Sequence, residues 1–388
     1  MSAAIYFLRR YLGRSVEVAA AFFVATLSPV LGFIMLYTFR YTFVADHYQY
    51  LACIGPIALA SAGLVNLADT FKNSRTLILG AALFVPAVLA TLTWRQAAIY
   101  GNIETLWRTT LARNPSCWMA HNNLGIVLFG KGQLDDAIAH YRTTLEMQPN
   151  FWDADYNLGS ALLGKGQVDE AIFHCDKAVR MQPNDPDAQV ALANALLQKR
   201  RIDDAIVHYQ KAVAIRPDYF LARYGLGHAL LEKGKLDAAI EHSRAALLIQ
   251  PNDADCHTVL AIALDEKGQS AEAIEHYEKA LEISPQSVSA LNNLAWLLAT
   301  GSDASSRNGR RAIQFAQKAD RLSGGTNAVV LRTLAAAFAE AGQFGKAVES
   351  AQAAMQLGRS QGDNSLATEL QQEIALYELG LPYREMAK

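Results

Sequence analysis

The chain opens on three uncharged apolar runs and then settles into apolar and polar positions that recur with a long, regular period. Residues 18–39, 48–68 and 76–94 contain no Asp, Glu, Lys or Arg. A helix needs about 20 mostly apolar residues to cross ~30 Å of hydrocarbon. The runs therefore predict transmembrane helices at about 16–39, 48–68 and 76–94. The alternative is three buried helices, but helices outside a membrane rarely stay uncharged on every face. Arg9, Arg10 and Arg14 precede the first run, and Lys72 and Arg75 separate the second from the third. Basic residues favour the cytoplasmic side. The expected location is thus a multi-pass membrane protein of the bacterial inner membrane, with a cytoplasmic N-terminus and everything after Trp94 in the periplasm.

Beyond these runs the pattern is periodic. Pro115, Pro149, Pro183, Pro217, Pro251 and Pro285 are spaced by 34 residues. Leu124, Leu158, Leu192, Leu226, Leu260 and Leu294 keep the same period, and each is followed by Gly or Ala. Ala137, Ala171, Ala205, Ala239 and Ala273 form a third series, and Tyr141, Tyr209 and Tyr277 a fourth. This is the tetratricopeptide signature, in which each repeat is two antiparallel helices, A then B. The small residue after the leucine lets helix B approach helix A. Gly132, Gly166, Gly234 and Gly268 fall where A should end in a left-handed residue. Arg200 replaces that glycine in the third repeat, so its turn is expected to be strained.

The expected layout is a membrane region over 1–95, a half-repeat connector over 96–117, an array over 118–361 and a capping helix with a tail over 362–388. The repeats are 118–151, 152–185, 186–219, 220–253, 254–287, 288–327 and 328–361, the sixth with a longer A–B turn. The fold class is all-α: N-terminal transmembrane helices followed by a TPR α-solenoid, a right-handed superhelix of antiparallel helix pairs. No repeat buries its apolar face alone, so stacking supplies the core.

Grooves lined by A helices bind extended peptides or partner helices. Asn123, Asn157 and Asn293 precede lattice leucines, and Asn122 and Asn292 precede two of them. An amide carries a donor and an acceptor and can pair with any peptide backbone; the alternative is local bonding to neighbouring turns. The series is similar to the asparagine ladder of the O-linked N-acetylglucosamine transferase, broken here by Ala191, Gly225 and Val259. Tyr156, Asn194, Tyr224 and His228 are further groove candidates. His140, His174, His208, His242 and His276 also recur at 34 residues. Packed helix axes lie about 8–10 Å apart, and a zinc ligand sits ~2 Å from its metal. Neighbouring histidines would therefore struggle to share an ion, and the series reads as a half-exposed face of helix B, with pH sensing as the lesser alternative. No metal site and no cofactor is expected.

Composition adds little beyond exclusion. A hydrophobic share of 51% excludes a disordered chain, and a net charge of −2 does not suggest nucleic acid as a partner. Residues 40–52, with Asp46 and His47, interleave aromatic and polar side chains. They read either as an interfacial aromatic belt or as a site facing a lipid-linked or polar substrate.

Ser28-Pro29-Val30-Leu31-Gly32-Phe33, followed by that segment, resembles the end of the membrane domain of transmembrane-and-TPR proteins, a family similar to protein O-mannosyltransferases. The resemblance implies transfer of a sugar from a polyprenyl-phosphate donor in the membrane to protein hydroxyls, with the repeats presenting the acceptor. In this chain Asp46 is the only acid of the 40–52 loop, and with His47 it is the weak catalytic candidate that the loop offers. Members of that family carry paired acids in an earlier outer loop, so this chain is read as a truncation, a mis-called start or one piece of a split gene, not as a competent enzyme alone. The leading expectation is a membrane-anchored scaffold that binds extended protein segments or partner proteins. The alternative is a subunit or truncated form of such a glycosyltransferase.

Overall fold

A computed structural model describes residues 101–385. Among them are sixteen α-helices and no strand. Helix α1 (Ile103–Arg113) is followed by seven antiparallel pairs. These are α2 (Trp118–Gly130) with α3 (Leu134–Met147), α4 (Trp152–Gly164) with α5 (Val168–Met181), and α6 (Pro186–Gln198) with α7 (Ile202–Ile215). Next come α8 (Phe220–Glu232) with α9 (Leu236–Ile249), α10 (Ala254–Glu266) with α11 (Ser270–Ile283), and α12 (Val288–Thr300) with α13 (Gly309–Leu322). The last pair is α14 (Ala328–Glu340) with α15 (Phe344–Ser360), and α16 (Asn364–Glu378) follows it.

The expectation of transmembrane helices in the fold is corrected. Among the described residues no helix is long and apolar enough to cross a membrane. The physical reason is length and polarity: the array's helices are mostly 13 or 14 residues, and B helices such as α3 and α5 carry a charged face. The placement as a multi-pass membrane protein with a periplasmic array is corrected on the same finding. The runs at 16–39, 48–68 and 76–94, and the segment holding Asp46 and His47, lie outside the described residues.

The lattice residues form the core. The six lattice leucines are between 0% and 2% exposed, and full burial of such a side chain stabilises by roughly 1.5–3 kcal/mol. The Tyr141 ring lies over Gly125, where an added Cβ would come 2.6 Å from Tyr141 Cε1. In the third repeat Ala193 occupies the corresponding place, and the Tyr209 ring also lies against Gly225 in the next A helix. Arg200 does adopt the left-handed conformation, with φ of 65°. In the longer sixth turn, Asn308 N donates to Leu298 O at 2.8 Å, and its side chain caps α13 by accepting from Arg311 N at 3.0 Å. Gly309 is needed because an added Cβ would lie 2.7 Å from Ala341 N, just past the end of α14.

Within residues 107–385, successive A helices touch along the array, while successive B helices barely meet. The A helices therefore form the inner layer of the curve and the B helices the outer one. Lys199 pairs with Asp169 at 2.8 Å and Lys233 with Asp203 at 2.7 Å; Lys165–Asp135 and Lys267–Asp237 repeat the contact. These exposed pairs tie the end of one A helix to the start of the previous B helix. At such exposure they fix register more than they add stability.

Candidate functional site

The inner face of the A helices carries the groove residues named from the sequence. Asn122, 7% exposed, accepts a hydrogen bond from Asn157 Nδ2 at 3.4 Å. Asn292 Nδ2 donates to Asn293 Oδ1 at 3.4 Å, and Asn292 Oδ1 is buried without a hydrogen-bond partner. The exposed Asn194 accepts from the Tyr209 hydroxyl at 2.5 Å. Asn123 is partly buried on α2. Tyr156 is partly buried against the core, and burial is the first cause of its raised pKa, followed by Asp187. Tyr224 stacks between Phe220, at 5.9 Å between centroids, and His228, at 6.5 Å, along one side of α8. The structure thus joins the amides in pairs and leaves the Tyr224–His228 stack as a half-exposed aromatic surface.

The C-terminal part of this face already holds a segment of the chain. Gly380, at φ of 74°, reverses the end of α16, and Leu381 N donates back to Leu376 O at 2.9 Å. Pro382 cannot continue a helix, and the tail 381–385 runs on without regular structure. Glu385 N donates to Thr300 O at 3.0 Å, and Trp296 Nε1 donates to Glu385 Oε1 at 2.7 Å. The Tyr383 ring lies 5.9 Å from that of Trp296. Arg384 Nη1 donates to Ala299 O at 3.2 Å, and its guanidinium pairs with Glu340. The Arg332 guanidinium sits 4.8 Å from the centroid of the Trp296 ring, held by Glu369 at 2.8 Å and Glu373 at 2.7 Å. The tail residues do not repeat at 34, so the sequence carried no periodic signal for this contact.

A second inner arrangement was also invisible in the lattice. Each B-helix histidine from His140 to His276 has a counterpart three places before the lattice leucine of its own repeat: His121, Asp155, Gln189, Arg223 or His257. His140 and His121 meet Nδ1 to Nδ1 at 2.8 Å, and His276 and His257 at 2.9 Å. His174 Nδ1 lies 2.8 Å from Asp155 Oδ1, and His208 Nδ1 2.7 Å from Gln189 Oε1. The A-helix partner then reaches the proline carbonyl that ends the previous repeat: His121 to Pro115 at 3.0 Å, Gln189 to Pro183 at 2.8 Å, and His257 to Pro251 at 3.0 Å. Arg223 donates to Pro217 O at 2.5 Å in the same way.

Donor and acceptor inventories set the direction of this stitch. A carbonyl only accepts, so neutral His257 carries its proton on Nε2 and leaves Nδ1 bare; His276 must donate from Nδ1. Asp155 has nothing to donate, and Lys177 supplies the missing donor, 2.8 Å from Pro149 O and 2.9 Å from Asp155 Oδ2. Arg223 has nothing to accept with, and His242 Nδ1 is buried without a hydrogen-bond partner. Burial is the first cause lowering the pKa of His140, His208, His242 and His276. The histidines are therefore half-buried side chains of helix B that also take part in the repeat-to-repeat packing. The available signal was a polar residue at an A-helix position that stacking buries.

Among the described residues no three of His, Cys, Asp and Glu come together as metal ligands. Burial pushes the thiols of Cys175 and Cys256 up to about 12, which keeps both protonated and unreactive near neutrality.

Comparison with known proteins bears on the repeats. Family models described as tetratricopeptide repeat match residues 104–143, 126–186 and 196–263, and one described as TPR repeat matches 263–300. None of these describes a transmembrane or O-mannosyltransferase-like family, so the resemblance to that family is supported only in its repeats. No curated protein sequence matches the chain. Among solved structures, YrrB, titled a TPR protein with an unusual peptide-binding site, is 24% identical over 48% of this chain and 96% of its own, with a TM-score of 0.40. MamA is 28% identical over 42% and 95%, with a TM-score of 0.38. A thermophilic TPR protein in Thermus thermophilus is 22% identical over 45% and 95%, with a TM-score of 0.40. Tetratricopeptide-repeat matches across residues 104–300 and the sixteen described helices together make the described part of the chain an all-α TPR solenoid.

Proposed function

We propose that the array is a scaffold that binds extended protein segments on the inner face of its A helices. One observation carries the reading. A non-helical segment of the chain lies on that face, with its own backbone donating to Thr300 O at 3.0 Å. The face therefore offers backbone acceptors and aromatic surface to an extended chain. Toward the N-terminus, Tyr156, Asn194, Tyr224 and His228 are the side chains we assign to partner contact, with Asn122, Asn123, Asn157, Asn292 and Asn293 holding the face in register. The glycosyltransferase alternative rests on Asp46 and His47, outside the described residues, and no matched family supports it or a polyprenyl-phosphate sugar partner.

The test is an array of synthetic extended peptides probed with the full chain and with Tyr224→Ala. Truncating a hot-spot aromatic costs about 2 kcal/mol or more, so the variant should lose at least ~10-fold in affinity for the peptides bound by the parent. Equal binding by both chains would overturn the assignment of the inner face.

A further inference from the structure

We propose that the inner face of α12 and α14 is a recognition site for a segment that presents an aromatic ring, an arginine and a carboxylate in succession, and that the chain's own Tyr383-Arg384-Glu385 is its resident occupant. The inference rests on the groove reading above and names the ligand class and control of its C-terminal end.

Each tail group meets a complementary one. Tyr383 packs on Trp296, which also receives the Arg332 guanidinium. Arg384 pairs with Glu340 on α14 and bonds Ala299 O on α12. The Glu385 carboxylate takes the Trp296 indole N–H, and its backbone N–H donates to Thr300 O. The alternation of a side-chain pocket, an ion pair and a backbone bond is what recognition of an extended segment requires. Arg332 cannot shift freely, because Glu373 beside it is only 1% exposed and pairs with it at 2.7 Å. The site is thus pre-formed by α12, α14 and α16, and the tail is what fills it.

The fastening is weak enough to be exchanged. It consists of a few hydrogen bonds, one aromatic contact and a part-exposed ion pair; the Arg384 side chain is 35% exposed. A tail tethered at Gly380 nevertheless acts at an effective concentration on the order of millimolar. A free segment of the same chemistry at micromolar concentration is therefore excluded until the tail lets go.

The test uses the full chain and a fluorescein-labelled synthetic peptide of residues 380–388. Tyr383→Ala/Glu385→Ala loosens the resident tail and leaves Trp296, Arg332 and Glu340 intact. Fluorescence anisotropy should show that this variant binds the peptide at least ~10-fold more tightly than the parent chain, as removal of a tethered competitor predicts. Adding Trp296→Phe, which keeps a ring and deletes the indole N–H, should weaken the gained binding severalfold. If the variant binds the peptide no better than the parent, while the peptide array above still binds, this inference is overturned and the groove reading stands. Failure of both experiments removes the groove reading itself.

Discussion

His276 Nδ1 stands 2.9 Å from His257 Nδ1, and His257 Nε2 stands 3.0 Å from Pro251 O. The fifth repeat is thereby stitched to the fourth through two imidazoles that cannot both be charged. Burial, then His257 and Lys279, push the His276 pKa down to about 4, with Glu272 opposing and Arg244 adding to the depression. An open hollow of about 710 Å³ lined in part by both rings gives protons access.

The sign of the pH effect follows. Between about 4 and 6.5 the unfolded chain binds more protons at this residue than the folded one. The stability is therefore whole above the unfolded value and is lost as pH falls toward the folded value, a change on the order of 2 kcal/mol. Urea unfolding at a series of pH values from 7.5 downward should show this slope, and His276→Gln should flatten it. An unchanged slope in the variant would remove His276 as its source.

Arg223 leaves His242 Nδ1 without an acceptor, whereas Gln189 serves both His208 and Pro183. Arg223→Gln should therefore raise unfolding stability by about 1 kcal/mol, the net worth of one recovered buried hydrogen bond. The mirror change, Gln189→Leu, orphans His208 Nδ1 and should cost roughly 1–3 kcal/mol. Thermal and urea unfolding of the two variants should move in opposite directions.

Gly225→Ala would place a Cβ 2.4 Å from Tyr209 Cε1 and 2.9 Å from its hydroxyl oxygen. Overpacking of this kind costs about 1–3 kcal/mol. Gly345→Ala, with nothing within 4 Å on α15, is the matched control. There the substitution should stabilise by ~0.5–1 kcal/mol through helix propensity. Urea unfolding of both variants beside the parent chain measures the two changes.

Arg200, at φ of 65°, occupies a turn place that glycine holds at 132, 166, 234 and 268. Arg200→Gly should stabilise by about 1 kcal/mol, since a left-handed residue with a Cβ is strained by that order. Its exposed ion pair with Glu232 is too solvated to offset this. A fall in the unfolding midpoint would show that the pair, or restriction of the unfolded chain, outweighs the strain.

The legible part of the site was its address. The positions of Tyr224, Asn194 and Asn293 on A helices followed from their places beside the lattice leucines. What those side chains touch did not follow: Asn122 meets Asn157 from the next repeat, and Asn194 meets Tyr209 of its own repeat. Such pairings depend on which side chains stand on the facing helices, and no periodicity records them.

By itself the sequence determined the helix pairs, because a repeat's core is made of contacts within one period and with its nearest neighbours, and these leave matching marks every 34 residues. Only the tertiary structure decided the rest. The histidine stitch joins His140, His174, His208 and His276, which repeat, to His, Asp and Gln partners that do not, and Arg223 at the same place leaves His242 Nδ1 unbonded. The tail contact joins Trp296 to Glu385 across 89 residues. Such a contact depends on where α12, α14 and α16 bring their faces together, and that placement exists only once the repeats have stacked.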